Sequence, residues 1–156
     1  MLYLIGILRI GIILLLIPAS VHDLSDRKVP FVYLIAAGTI SVSQVVVKCL
    51  SGGGRTAIIT AALGILPGLA FCAIAWISKK IGMADGIIVS ILGLSENYVC
   101  GIFVLCAGSI LLSFVSVVLL IMKKVDRGTK MPFVPFLEGG YVLWVIISAT
   151  KGMSHV

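Results

Sequence analysis

The chain has 156 residues, 60% of them hydrophobic and only 12% charged, with mean hydropathy +1.24 and a formal net charge of +6. One domain's worth of chain with that composition excludes a soluble globular domain, which could not hide so much apolar surface. The charge invites a nucleic-acid partner, but the basic residues sit in short clusters between apolar runs, as membrane topology signals do, so no nucleic-acid partner is expected.

Leu2 to Ser20 is apolar apart from Arg9 and long enough to cross a hydrocarbon core of roughly 30 Å. Its apolar run is longer than a signal peptide's, and no small-residue cleavage site precedes the next charged turn, so it is expected to be a retained helix. Val21 to Val29 makes a short polar link containing His22, Asp23, Asp26, Arg27 and Lys28. Pro30 suits the first turn of a new helix, where its missing N–H costs nothing. Phe31 to Lys48 is the second span, followed by a turn over Cys49 to Arg55 built on Gly52-Gly53-Gly54. Thr56 to Ser78 is the third span, with a kink expected at Pro67-Gly68.

Lys79-Lys80 ends that span, and Ile81 to Ser95 follows as a short fourth helix. Fifteen residues at ~1.5 Å each reach only about 22 Å. Tyr98 to Met122 is a full fifth span. A basic loop, Lys123 to Lys130, leads to a sixth, Met131 to Thr150, whose first half Pro132, Pro135 and Gly139-Gly140 should make irregular. Irregular backbone at membrane depth survives only where protein or water covers it, so that half is expected to line an interior cleft. The sequence thus predicts an all-α polytopic membrane protein of about six helices, one domain over residues 1–156.

Eight basic residues fall in the loops after spans one, three and five: Arg27, Lys28, Lys79, Lys80, Lys123, Lys124, Arg127 and Lys130. Three, Lys48, Arg55 and Lys151, fall on the other side. The positive-inside rule then puts the N-terminus outside and those three loops in the cytoplasm of a multi-pass cell-membrane protein. The cysteines, Cys49, Cys72, Cys100 and Cys106, form no C-x-x-C and are expected to be small buried thiols.

An ionisable side chain within a membrane segment is expensive and marks a functional site. Asp85, in Gly82-Met83-Ala84-Asp85-Gly86, is such a group. On a helix continuous from Lys80 it would lie about 7–8 Å deeper than that lysine's backbone. Asp23 follows the first span on the same face. Two carboxylates at close range cannot both ionise cheaply, so they share a proton and titrate as a unit. One can then deprotonate water while the other polarises a peptide carbonyl, with no metal, nucleophilic side chain or cofactor.

Asp23-x-x-x-Arg27-x-Val29-Pro30 resembles the D-x-x-x-R-x-I-P segment of type IV prepilin peptidases. Gly82-Met83-Ala84-Asp85 resembles their Gly-x-Gly-Asp motif, and Met131-Pro132-Phe133-Val134-Pro135-Phe136 is similar to the segment opening their last helix. The three motifs occur in order and cover most of the chain. The resemblance implies an intramembrane aspartyl endopeptidase that removes basic leader peptides from pilin-like precursors at the cytoplasmic face. Asp23 and Asp85 would be catalytic, Arg27, Pro30, Gly82 and Ala84 would support them, and Pro132, Phe133, Pro135 and Phe136 would line the substrate cleft. The chain has neither the length nor the paired C-x-x-C motifs of the methylating members, so it looks like the compact, peptidase-only form. It departs from the pattern at Ala84, where the second glycine stands, at Gly86-Ile87-Ile88, where a Lys is common, and at Phe31, where an Asn is frequent.

Plainer roles compete at each position. Asp85 would be a helix-end acid neutralised by Lys79 or Lys80, and Asp23 and Asp26 ordinary loop acids. Arg27 would be a topology charge, and Gly82 the end of a turn. His22 would be solvated, and Glu138 could neutralise Arg9 across the bundle. Two other functions remain open: a catalytically silent scaffold or assembly factor of a pilus or secretion system, and a small proton-coupled transporter.

Overall fold

Every apolar run becomes one helix in the computed structural model, and the breaks between them fall on residues that stop helices. The structure describes residues 2–26, 29–78, 82–123 and 131–150. Among these the order is α1 (Leu2–Asp26), α2 (Phe31–Lys48), α3 (Gly54–Ser78), α4 (Met83–Ser95), α5 (Tyr98–Ile121) and α6 (Val134–Thr150). No strand occurs among the described residues. Three helical runs, Tyr3–Asp26, Phe31–Ser78 and Tyr98–Ile121, are long and apolar enough to cross a membrane. The second of them is α2 and α3 joined through a turn at Cys49–Gly53. Outward-facing Ile17, Ile77, Ile110 and Phe114 are all exposed, which suits lipid and not water.

Pro30 precedes α2 with extended backbone (φ −57°, ψ 130°), and its carbonyl accepts from Tyr33 N at 3.1 Å. Asn97 starts α5 by accepting a hydrogen bond from Cys100 N at 2.8 Å, which satisfies one of the helix's free donors. The reversal between α2 and α3 depends on Gly52, whose φ of +97° disfavours any side chain. Gly52→Ala is expected to cost about 1 kcal/mol in denaturant unfolding in micelles. Gly38→Ala, in open space within a helix, is expected to cost nothing.

Several bounds differ from expectation. Helix α1 does not stop at Ser20 but runs through Pro18 to Asp26, so His22, Asp23 and Asp26 are helical. Helix α4 begins at Met83, not Ile81, because Gly82 is extended (φ −68°, ψ 129°) and caps it. Ile81 and Lys80 lie outside the described residues. The first half of the last span is irregular only over residues 131–133: α6 is helical from Val134 onwards. Pro135 falls in its first turn, where no backbone donor is missed, and Gly139-Gly140 continue as helix.

Helix α4 is the hub. Its buried residues, among them Asp85, Ile88, Val89, Leu92 and Ser95, fill one side of the helix, and every other residue except Met83 is half-buried, so α4 is an interior helix. It packs on α2, α3, α5 and α6. Small residues make the closest of these contacts. A Cβ on Gly64 or on Gly93 would run into the other's carbonyl, and one on Gly68 would lie 2.6 Å from Gly86 O. This is the small-residue packing by which helices associate in lipid, where burying apolar surface gives no drive. Gly108 and Gly140 do the same for α5 and α6, since a Cβ on Gly140 would lie 3.0 Å from Val104 O.

Candidate functional site

Asp23 and Asp85 lie at one end of this bundle, on helices far apart in sequence. Asp85 sits in the first turn of α4, two residues after Met83, and not deep along a helix continuous from Lys80. Its carboxylate folds back on the capping residue: a Cβ on Gly82 would lie 3.1 Å from Asp85 Oδ2. Gly82 therefore leaves room for the acid as well as starting the helix. Ala84 is half-buried and packs against the apolar core. On the other flank, Gly86 faces Cys72 of α3, whose backbone N would be 2.9 Å from an added Cβ.

Asp23 approaches from near the end of α1. Its Oδ2 accepts a hydrogen bond from Val134 N at 3.2 Å, at the start of α6. The free N–H groups of that first turn and the positive end of the helix favour a negative charge there. One turn earlier, Ser20 Oγ donates to Glu138 Oε2 at 2.5 Å, so α1 is tied to α6 twice.

Each aspartate is only 8% exposed, and the charge on Asp23 acts on Asp85. Among the described residues, no cationic side chain pairs with either carboxylate, and no donor is hydrogen-bonded to Asp85. Lys79, Lys80 and Arg27, the cations expected nearby, lie outside the described residues. Two buried carboxylates that feel each other can hold a proton between them and divide acid from base duty.

The remaining candidates are placed as follows. Pro30 is half-buried at the start of α2. Pro132, Phe133, Pro135 and Phe136 are half-buried at the start of α6, on the same end of the molecule as the acids. Phe133 packs on Phe71 of α3 (centroids 6.1 Å apart), and its carbonyl accepts from Phe136 N and Leu137 N. The backbone there is spent on opening α6. An open depression of about 580 Å³ lies nearby, walled by His22, Asp26, Val29 and Pro30. His22 faces Asp26 at 4.0 Å and lies against Tyr33 with tilted rings 5.7 Å apart, and Asp26 is exposed. Of the cysteines, Cys100 is buried, Cys49 and Cys72 are half-buried, and Cys106 is exposed, so the expectation of four buried thiols is corrected.

Arg9 does not pair with Glu138. It binds Glu96 through two bonds, Nε to Oε1 and Nη2 to Oε2, both 2.6 Å. The reason is height along α1: Glu138 is held at Ser20, eleven residues or about 16 Å of helix from Arg9. Lys48, read from sequence as a topology charge, turns inward and donates to Ser95 O at 2.6 Å and to Glu96 O at 3.3 Å. Gln44, with its amide oriented to satisfy both neighbours, donates to Ser95 O (3.3 Å) and accepts from Arg9 N (3.1 Å). Sequence reasoning missed Glu96, Lys48 and Gln44. A signal was present: Asp85 and Glu96 are eleven residues apart, close to three whole turns.

No family model matches this chain, and no curated protein and no solved structure matches it.

Proposed function

We propose that this chain is an intramembrane aspartyl endopeptidase of the prepilin-peptidase type, with six membrane crossings and its two acids at the cytoplasmic face. The observation that supports it best is that Asp23 and Asp85 are both buried at one end of the bundle, near enough for the charge of one to act on the other. Burying two acids together is costly, and acids in apolar segments are kept where function needs them.

In this mechanism Asp23 is the charged member, supported by its bond from Val134 N, and Asp85 carries the shared proton. Asp23 takes a proton from water, and the oxygen adds to the scissile carbonyl carbon. Asp85 gives its proton to the carbonyl oxygen, forming a neutral tetrahedral diol. On collapse, Asp23 returns its proton to the leaving nitrogen and Asp85 recovers one from the diol. The basic residues of a leader would lie among lipid headgroups and cytoplasmic solvent, outside the apolar bundle.

The test is cleavage of a pilin-like precursor with a basic leader by the purified chain in lipid vesicles, read by mass spectrometry. A product shorter by the leader is expected, with and without EDTA. Intact precursor throughout, with the chain folded, would end this proposal. The bond from Val134 N to Asp23 favours one other function, a silent scaffold, because it gives Asp23 a structural task. A scaffold would support pilus assembly or secretion equally well with Asn at position 85.

A further inference from the structure

Helix α4 has 13 residues and spans about 20 Å, roughly 10 Å less than a hydrocarbon core. At its end Ser95 and Glu96 are buried, and unpaired backbone groups are not tolerated there. Lys48 from the end of α2 meets the carbonyls of Ser95 and Glu96, placing a cation at the negative end of α4. Arg9 then neutralises Glu96 in a two-bond fork.

The same cluster bears on the two acids. On α1, Arg9 and Asp23 are 14 residues apart and lie within about 40° of one face. On α4, Asp85 and Glu96 lie three turns apart. The helices run antiparallel, so one pair of ends brings Arg9 to Glu96 and the other brings Asp23 towards Asp85. Between these ends the two backbones stay more than 8 Å apart. The gap holds Ile12, Leu16, Ile88 and Leu92 around a small apolar cavity of about 10 Å³. Apolar side chains meeting across a gap can slide, whereas a two-bond ion pair has one geometry. Helix α4 is locked to α3 by glycines, and α1 is tied to α6. Arg9–Glu96 joins the helix that carries one acid directly to the helix that carries the other.

We propose that Arg9, Glu96 and Lys48 form a positioning cluster that sets the spacing and height of α4 against α1, and so aligns Asp85 with Asp23. This rests on the peptidase assignment only for its kinetic consequence. Arg9 and Glu96 are positioning residues and touch no reacting atom.

The deciding variant is Arg9→Met/Glu96→Met in the full chain in vesicles. Removing both members of the pair takes away one charge of each sign, and Lys48 keeps the carbonyls of Ser95 and residue 96 as its partners. Spin labels at Leu24→Cys and Met83→Cys, exposed positions beside the two acids, report the α1–α4 distance once the four native cysteines are replaced by alanine. A narrow distance distribution is expected with Arg9 and Glu96 present, and a broad one in the double methionine variant. In the same variant kcat should fall about a hundredfold with KM unchanged, the scale of a 1 Å misplacement. An unchanged narrow distribution overturns the proposal. Failure of the methionine variant to fold also counts against it, because the pair would then determine stability and not position. If the chain carrying Arg9 and Glu96 cleaves nothing while the distances respond as expected, the peptidase assignment fails and the positioning cluster stands.

Discussion

Asp85→Asn is expected to leave the chain folded and to reduce precursor cleavage by about a thousandfold, within the range that acid–base groups supply. Asparagine has the shape of the acid but cannot pass a proton on. Among the described residues Asp85 has no hydrogen bond to lose, so helicity and thermal unfolding should be unchanged. Asp23→Asn should remove activity to the same degree while its remaining carbonyl oxygen still accepts from Val134 N. Asp23→Ala removes that acceptor as well and is expected to lower stability by about 1 kcal/mol. Leader removal and denaturant unfolding, measured on the same preparations, separate the two effects. Full activity in Asp23→Asn would reduce this residue to a cap on α6.

Gly93→Ala and Gly64→Ala should each cost about 3 kcal/mol, the upper part of the range for overpacking. An added methyl at either position meets a backbone carbonyl on the facing helix, which cannot rotate away as a side chain would. The helices must separate, and α4 carries Asp85 with it, so cleavage should fall too. Gly6→Ala is the control: nothing lies within 4 Å of its added Cβ, so stability should hold or rise slightly. Unfolding in detergent micelles decides the matter. If Gly93→Ala unfolds at the same denaturant concentration as the unaltered chain, α3 and α4 do not approach as closely as described.

Composition and apolar run length were enough to predict an all-helical chain, and Phe31–Lys48 was legible to the residue. Pro30 and the Gly52-Gly53-Gly54 turn made the bounds of α2 legible, because their effect is local. The end of α1 was not, since Val21–Asp26 reads as a polar link, and its contact with the start of α6 through Asp23 is a tertiary one. The regular start of α6 was equally hidden, because Pro135 fits a first turn but breaks an interior one, and only the position of Val134 tells which applies.

By itself the sequence singled out Asp23 and Asp85, through the rarity of acids in apolar segments and the motifs around them. It could not show that both are buried at one end, which depends on how four helices pack. It offered Glu138 as a partner for Arg9, because charge complementarity carries no information about height along a helix. The tertiary structure chose Glu96, since the buried end of α4 must be satisfied and Arg9 and Lys48 reach it there. Pair identity in a bundle is set by register, and register is a property of packed helices.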